Sequence, residues 1–350
     1  MPSLYEYYFP DRKLNMAAEA FDRSASTGII IFEIIIIVAA ILAFIFLSKI
    51  QKKMGFRFLI AATGIFIFEM FTAPMWHNLH LGIWAYLYRD VSWVLTLGWT
   101  TCIILTVTLI DHFLVRFSPG KRFLLSLLGL TILGVIGETV VINLGIRIYS
   151  PEVQETILGY IPLLNIPVNV LYYIPVFMAL VVGFYQYWCL VLDNKPVLPM
   201  KKRKWGRDFI IALLAVLLFE IMVEPMVTNA NLPTWTYLYK DVNLFLTGIW
   251  ILIVWLALKL TDKFFIHIEL AIRFLIYLVV VGILALPFEA YFISAKIRIY
   301  GPSATKNLSG ITLPGLNVPV EVIFAIPLYF ALIIAFIRYW EIILDNRRLK

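Results

Sequence analysis

Apolar stretches of about 20 residues recur along the whole chain, at 28–50, 56–76, 91–110, 122–143, 167–192, 208–228, 242–260, 271–293 and 319–344. A helix needs roughly 20 apolar residues to cross the hydrocarbon core of a bilayer. Inside that core each backbone N–H and C=O has to be satisfied within the segment, which leaves helices as the form such stretches take. The chain therefore reads as an all-α, polytopic integral membrane bundle of about nine transmembrane helices. Composition agrees. With 62% hydrophobic residues, 15% charged residues and a mean hydropathy of +0.89, there is too little charge to cover a water-soluble domain of 350 residues.

The first apolar run follows a polar segment of 27 residues, is too long for a signal-peptide core and shows no small-residue cleavage site, so it reads as an uncleaved anchor. Cys102 and Cys189 both fall inside apolar runs and make no disulfide framework. The net charge of +7 is concentrated in "SKIQKKMGFR", "DHFLVRFSPGKR", "DNKPVLPMKKRKWGRD" and "DNRRLK". These are alternate connections, so the positive-inside rule assigns them to the cytoplasm, with the N-terminus outside and the C-terminus cytoplasmic. Two features pull the other way: "TDKFFIHIELAIR" is nearly neutral, and the opposite-side stretch 294–318 carries Lys296, Arg298 and Lys306. Basic loops of this kind serve orientation and contact with membrane lipids; nothing in the pattern calls for nucleic acid.

Within this frame the chain repeats itself. "FEMFTAPMWHNLHLGIWAYLYRD" (68–90) returns as "FEIMVEPMVTNANLPTWTYLYKD" (219–241). At an offset of 151, Glu69 matches Glu220, Pro74 matches Pro225, Trp84 matches Trp235, Asp90 matches Asp241, Asp111 matches Asp262 and Glu138 matches Glu289. "IRIY" recurs at 146–149 and 297–300; at an offset of 152, "LNIPVN" (164–169) matches "LNVPVE" (316–321) and Pro175 matches Pro327. The expected organisation is an N-terminal segment and anchor helix at 1–50, a first membrane repeat at 51–196 and a second at 197–350. Each repeat holds four spans, an even number, so the copies are of the parallel kind. The first span, outside the repeat, reads as a peripheral helix.

Glu69, Glu138, Glu220 and Glu289 fall near the ends of their spans. A charge at membrane depth costs on the order of 2.5–3.5 kcal/mol at the bilayer centre and usually faces the bundle interior. Such a carboxyl either stays protonated or pairs with a cation. The structural reading is that each glutamate satisfies a helix end or pairs with Arg147 or Arg298 of the "RIY" segments. The functional reading is that the set lines a cavity. Trp84, Tyr86, Trp235 and Tyr237 suit a membrane interface, or an aromatic wall for a cation-forming substrate. Arg89 with Asp90, and Lys240 with Asp241, are expected to neutralise each other or to cap the helices that follow. Pro167 and Pro319 mark helix starts, and Pro175 and Pro327 are expected to kink their helices. Asn169 and Glu321, at equivalent positions, break the symmetry between the copies.

Other chemistries find no motif. Four histidines are too few for a multi-histidine di-iron centre; His77 and His80 in "HNLH" offer two metal ligands, yet Thr228 and Asn231 replace them in the second copy. No phosphate-binding glycine loop, nucleophile elbow, H-E-x-x-H or Asp-rich diphosphate motif is present. The reading calls for no metal and no cofactor.

The stretches "GETVVINLGIRIYSPE…IPLLNIPVNVLYYIP" and "FEAYFISAKIRIYGPS…GLNVPVEVIFAIP" resemble the membrane-embedded lycopene cyclase domain family and the related carotenoid hydratase-like proteins. Weaker likeness in the two W-x-Y-L-Y segments extends it over most of 68–345. Those cyclases carry Pro-aliphatic-Glu-Glu; here Pro319-Val320-Glu321-Val322 and Pro167-Val168-Asn169-Val170 lack the second acid. The resemblance implies redox-neutral chemistry on a lipid-soluble isoprenoid: a carboxylic acid protonates a C=C bond, and the cation is quenched by ring closure or by water. It implies Glu289 and Glu321 as acid and base, Glu138, Glu220 and Glu69 as partner acids, and Arg147, Arg298, Tyr149 and Tyr300 beside the substrate. A proton-coupled transporter or lipid carrier using the same carboxylates is the rival class, and a non-catalytic scaffold is a third.

Overall fold

The structure, a computed structural model, describes residues 24–193, 205–306 and 308–346. The polar segment 1–23 and the basic runs 194–204 and 347–350 of the sequence reading lie outside the described residues. Among the described residues nine helices are long and apolar enough to span a membrane, and the protein is a multi-pass membrane protein. In chain order the helices are α1 (Thr27–Ile50), α2 (Met54–Thr72), α3 (Trp93–Phe113), α4 (Pro119–Asn143), the short α5 (Pro151–Glu155), α6 (Val170–Leu192), α7 (Trp205–Val223), α8 (Leu244–Phe265), α9 (Leu270–Ser294), the short α10 (Pro302–Lys306) and α11 (Val320–Asn346).

The tandem repeat is a structural repeat element by element. The starts of α2, α3 and α4 recur at α7, α8 and α9 with the same offset of 151. So do the minimal strands: β1 (Trp76–Asn78), β2 (Tyr86–Tyr88), β3 (Val91–Ser92) and β4 (Arg147–Tyr149) of the first copy return as β7 (Val227–Asn229), β8 (Tyr237–Tyr239), β9 (Val242–Asn243) and β10 (Arg298–Tyr300). Only the first copy adds the two-residue pair β5 (Tyr160–Ile161) and β6 (Ile166–Pro167); its counterpart in the second is the single bridge Thr312–Pro319.

The chain divides into two compact units, 1–175 and 176–350. That boundary falls at Pro175 inside α6, not at the sequence-repeat boundary at 196. The reason lies in the last turns of α6, where Gly183 lies against the backbone of Phe336 and Tyr187 packs on Phe274. A Cβ on Gly183 would stand 3.1 Å from the Phe336 Cα, so only glycine fits there.

In the first unit α3 packs against α1, α2 and α4; in the second, α8 packs against α7 and α9, and α11 against α7 and α9. Helix starts follow capping chemistry. Ser92 and Ser118 accept from the amides of Leu95 and Lys121, Pro119 follows the second cap, and Asn243 accepts from Phe245 N at 3.0 Å. Pro167 does not open α6, which begins three residues later, and Pro319 immediately precedes α11. Pro175 and Pro327 lie within helices as expected, and Pro287 lies within α9.

The first helix is not peripheral at its N-terminal end. Ile29 packs into a buried cluster with Leu81, Ala85, Val94, Leu95, Val141 and Ile146, with Phe32 and Ile36 against it. Glu33, fully buried, accepts a 2.6 Å hydrogen bond from Gly82 N in the loop before β2. At the equivalent place the second copy has Pro233, which has no N–H to give. The extra helix and the glycine it grips occur together in one copy only.

Candidate functional site

Each copy builds the same polar cluster, and the way α4 and α9 end explains how. After Asn143 the chain turns through Gly145 in the left-handed region (φ 74°), with Ile146 N bonded to Val141 O. In the second copy Lys296 (φ 56°) makes the turn, with Ile297 N bonded to Phe292 O. Both are helix C-caps that reverse the chain. The strand that follows runs back beside its own helix, and its alternating side chains place residues two apart on one face. Arg147 and Tyr149 therefore both reach Glu138.

Tyr149 OH donates to Glu138 Oε1 at 2.5 Å, and Arg147 Nη1 donates to Oε2 at 3.0 Å. In the second copy Tyr300 OH donates to Glu289 Oε1 at 2.5 Å, and Arg298 Nε stands 3.6 Å from the same oxygen. Glu138 and Glu289 are buried, and each faces a guanidinium. Burial, followed by the facing carboxylate, raises the pKa of the Tyr149 and Tyr300 phenols well above their ordinary value near 10.

Glu69 and Glu220 sit differently. Both are buried near the ends of α2 and α7, and among the described residues neither makes an ion pair. Each meets a threonine hydroxyl instead: Thr96 Oγ1 at Glu69 Oε2 and Thr247 Oγ1 at Glu220 Oε2. The same hydroxyls lie 2.9 Å from Ser92 O and Asn243 O, respectively, one turn back in α3 and α8. Arg147 and Arg298 act on Glu69 and Glu220 through space. Every copy thus presents two carboxyls in unlike settings, one paired with arginine and tyrosine, the other with a hydroxyl.

The strands tie the cluster together. β1 pairs antiparallel with β4, and β7 with β10, setting Asn78 opposite Arg147 and Asn229 opposite Arg298. Asn78 Nδ2 and Asn229 Nδ2 donate to the backbone carbonyls of Asp90 and Asp241. On the other face His77 Nδ1 is 2.6 Å from Asp90 Oδ2, and Thr228 bonds Asp241. Asp90 and Asp241 therefore hold their hairpins to the neighbouring strand. They do not cap α3 and α8, whose caps are Ser92 and Asn243. Nor does Asp90 pair with Arg89, which occupies the left-handed turn position (φ 47°), as Lys240 does (φ 45°). Lys240 Nζ is 3.8 Å from Glu224. Burial pushes the Asp241 carboxyl up, opposed by Thr228 and Lys240.

The copies then part. In the first, Arg147 Nε donates to Asn78 Oδ1 at 3.2 Å, and the guanidinium lies 4.9 Å from the Trp76 ring. In the second, Val227 replaces Trp76 and Glu224 replaces Ala73. Glu220, Glu224, Val227, Asn229, Asp241 and Arg298 line a small pocket there. Asn229 Oδ1 and Arg298 Nε, both buried atoms, have no hydrogen-bond partner among the described residues.

Of the residues singled out in the sequence, Arg147 and Tyr149 meet Glu138 in the first copy, and Arg298 and Tyr300 meet Glu289 in the second. Trp84 and Trp235 are 48% and 71% exposed; Tyr86 and Tyr237 point inward, each donating to the backbone of Asn78 or Asn229. The aromatic rings beside Arg298 are Trp250, at 5.8 Å, and Phe292, at 5.9 Å. Glu321 Oε1 accepts from Ser309 N at 2.5 Å. Its counterpart Asn169 likewise ties a loop, to Leu158 N and Thr156 O. The residues missed are Thr96, Thr247, Asn78, Asn229, Glu224 and Glu33. The first four were readable as identities between the copies, and Glu33 as the lone acid of α1.

A second polar network closes the other end of the second unit. Arg338 of α11 pairs with Asp262 at 2.6 Å and Glu341 at 2.7 Å, and Tyr277 OH donates to Asp262. Gln186, Cys189 and Ser126 stand where the second copy has Arg338, Glu341 and Tyr277, and Asp111 pairs with Arg122 at 2.9 Å instead. Among the described residues no group of three or more His, Cys, Asp or Glu side chains is arranged to hold a metal ion. Comparison with protein-family models, with curated proteins and with solved structures gave no significant match for this chain.

Proposed function

We propose that this protein is an integral-membrane enzyme of redox-neutral acid chemistry, a cyclase or hydratase acting on a lipid-soluble, carotenoid-like isoprenoid, with its N-terminus outside and its C-terminus in the cytoplasm. The supporting observation is the hydrogen count at Glu220. The Thr247 hydroxyl has one hydrogen and touches two oxygens, a carbonyl that can only accept and the Glu220 carboxyl. Thr247 Oγ1 is placed to donate to either oxygen, and a neutral Glu220 that donates back satisfies both contacts where a carboxylate leaves one unmet. A neutral carboxylic acid in an apolar setting is a proton donor for a C=C bond. Glu289, bound by Tyr300 and facing Arg298, is its charged partner, and two carboxyls in such unlike surroundings are suited to opposite proton-transfer roles. Trp250 and Phe292 face the Arg298 guanidinium at 5.8 and 5.9 Å, a setting that suits positive charge. Glu220, not Glu321, is the acid in this reading.

A proton-coupled transporter or lipid carrier is the second reading. The Asp262–Arg338 network favours it, because Thr247 and Asp262 lie fifteen residues apart on α8, about 22 Å along the helix. The second unit thus carries polar groups toward both ends. The two readings separate by product. Expression in a lycopene-accumulating bacterial host, followed by chromatography and mass spectrometry of the pigments, is expected to give a product of equal mass or of mass plus water. Glu220→Gln is expected to lower its yield by about a hundredfold or more. Unchanged pigments with the protein present in the membrane would move the account to transport or to another lipid.

A further inference from the structure

Asn229 and Arg298 are direct neighbours across the β7–β10 ladder, a register that brings facing side chains within about 5 Å of each other at Cβ. The first copy has the same two residue types in the same register, and there they bond each other, Arg147 Nε to Asn78 Oδ1 at 3.2 Å. In the second copy the donor Arg298 Nε and the acceptor Asn229 Oδ1 are both buried and neither makes a hydrogen bond among the described residues, Arg298 Nε standing 3.6 Å from Glu289 Oε1. Asn229 is 8% exposed, and both residues line the pocket left where Val227 replaces Trp76. Leaving a buried polar atom without a hydrogen bond is costly, so two such atoms facing across the ladder in a pocket specify what belongs between them.

That group has to accept from Arg298 and donate to Asn229. An O–H oxygen does both. A carbonyl cannot donate to Asn229, and an ammonium cannot accept from Arg298. We infer that the second repeat holds an O–H subsite, formed by Arg298 Nε and Asn229 Oδ1 and occupied by water or by an alcohol hydroxyl of the substrate, while the first repeat is its closed, structural counterpart.

The chemical role of this oxygen rests on the acid-chemistry reading and selects hydration or its reverse over ring closure. Glu220 gives its carboxyl proton to one alkene carbon; a C–H bond forms, the π bond breaks, and the cation is left on the neighbouring carbon. Water held by Arg298 and Asn229 gives a lone pair to that cation, forming a C–O bond. The oxonium proton returns to the Glu220 carboxylate, so the sum is water added across C=C. In the other direction the bound hydroxyl is protonated and leaves as water, and the adjacent C–H proton restores Glu220.

The subsite and the chemistry are tested separately. Cryo-electron microscopy of the full chain in lipid nanodiscs, at a resolution that shows ordered water, is expected to reveal an oxygen between Arg298 Nε and Asn229 Oδ1 and none between Arg147 and Asn78. A direct Arg298–Asn229 bond would overturn the subsite whatever the protein catalyses. For the chemistry, lycopene-accumulating cells are grown in H2-18O. A labelled product of mass plus water supports water as the occupant; in cells supplied instead with a hydroxylated acyclic carotenoid, a product of mass minus water supports a substrate hydroxyl. Either product is expected to fall about a hundredfold in Asn229→Leu and in Val227→Trp, which restores the indole of the first copy, with the unfolding temperature of Val227→Trp within a few degrees of wild type. A product of unchanged mass would overturn the role of the oxygen. No product at all, with the protein present in the membrane, would overturn hydration of lycopene and the role given to the oxygen there, and leave the subsite to be decided by the density.

Discussion

Asn229 faces Arg298 in the same register that joins Asn78 to Arg147, yet only the first pair closes its hydrogen bond. Two differences lie close by. Trp76 stands over its arginine at 4.9 Å, whereas Val227 and Glu224, in place of Trp76 and Ala73, line a pocket beside Arg298. A duplicated fold has kept the same ladder twice and given one copy a packed interior and the other a pocket.

The Glu138–Arg147–Tyr149 triad is expected to be a stability element of the first unit. Removing one member of a buried, hydrogen-bonded ion pair typically costs 3–5 kcal/mol, because the remaining charge is left without compensation. Arg147→Met is therefore predicted to lower unfolding free energy by about that amount, and Arg147→Met with Glu138→Gln by less. Denaturant unfolding in detergent measures both. A double mutant that loses more than the single would contradict the pairing.

Glu33 is predicted to hold the loop before β2. Its carboxyl accepts from the Gly82 amide at 2.6 Å, and such a hydrogen bond contributes about 0.5–1.5 kcal/mol. Glu33→Leu should speed hydrogen exchange at the Gly82 amide by up to roughly tenfold. Exchange at the matched stretch 230–236, which lacks this contact, should not change. Unaltered protection at Gly82 would show that the contact contributes nothing to loop order.

At the other end of the second unit, Arg338→Gln gives the second copy the residue that the first copy has at Gln186. Asp262 would lose its 2.6 Å partner while still buried. A loss of about 3–5 kcal/mol is expected, with partial recovery in Asp262→Asn with Arg338→Gln. Equal stability of Arg338→Gln and wild type would mean that solvent reaches Asp262.

Alkaline pH should weaken both clusters through their tyrosines. The folded pKa of Tyr149 and of Tyr300 lies well above the ordinary 10. The protonated phenol is the bound form, so its contribution is full below about pH 10 and is lost as pH rises through the raised value. Unfolding free energy is predicted to fall with pH above 10, and to fall less steeply in Tyr149→Phe with Tyr300→Phe. Spectroscopic titration of the two phenols together with the exposed tyrosines would contradict this.

Much of this architecture was legible before any coordinates. Apolar run length forces the helices, and the offset of 151 between Glu69 and Glu220 carries through to the starts of α2, α3 and α4, with α6 and α11 aligned at 152 in sequence. Arg147 could be matched to Glu138 because strand alternation after a reversed helix end is a local rule. What Glu321 touches was less legible: a glutamate one residue into a helix reads as an acid in a site, and in the structure it also reaches back to a loop amide at Ser309. The role of Glu33 was hidden because its partner is the amide of Gly82, 49 residues away, and no side-chain pattern announces a backbone donor. Trp250 was missed because aromatic residues are common in membrane helices, and only packing reveals which one meets Arg298.

The central claim is that a carboxyl of the second repeat delivers a proton to carbon. Product formed by membranes containing the full chain in deuterated water tests it most directly. The account predicts a deuterium on carbon for each double bond that reacts, at a position that does not exchange on return to ordinary water, and loss of that product in Glu220→Gln. A product without carbon-bound deuterium, or one that forms undiminished in Glu220→Gln, would contradict it.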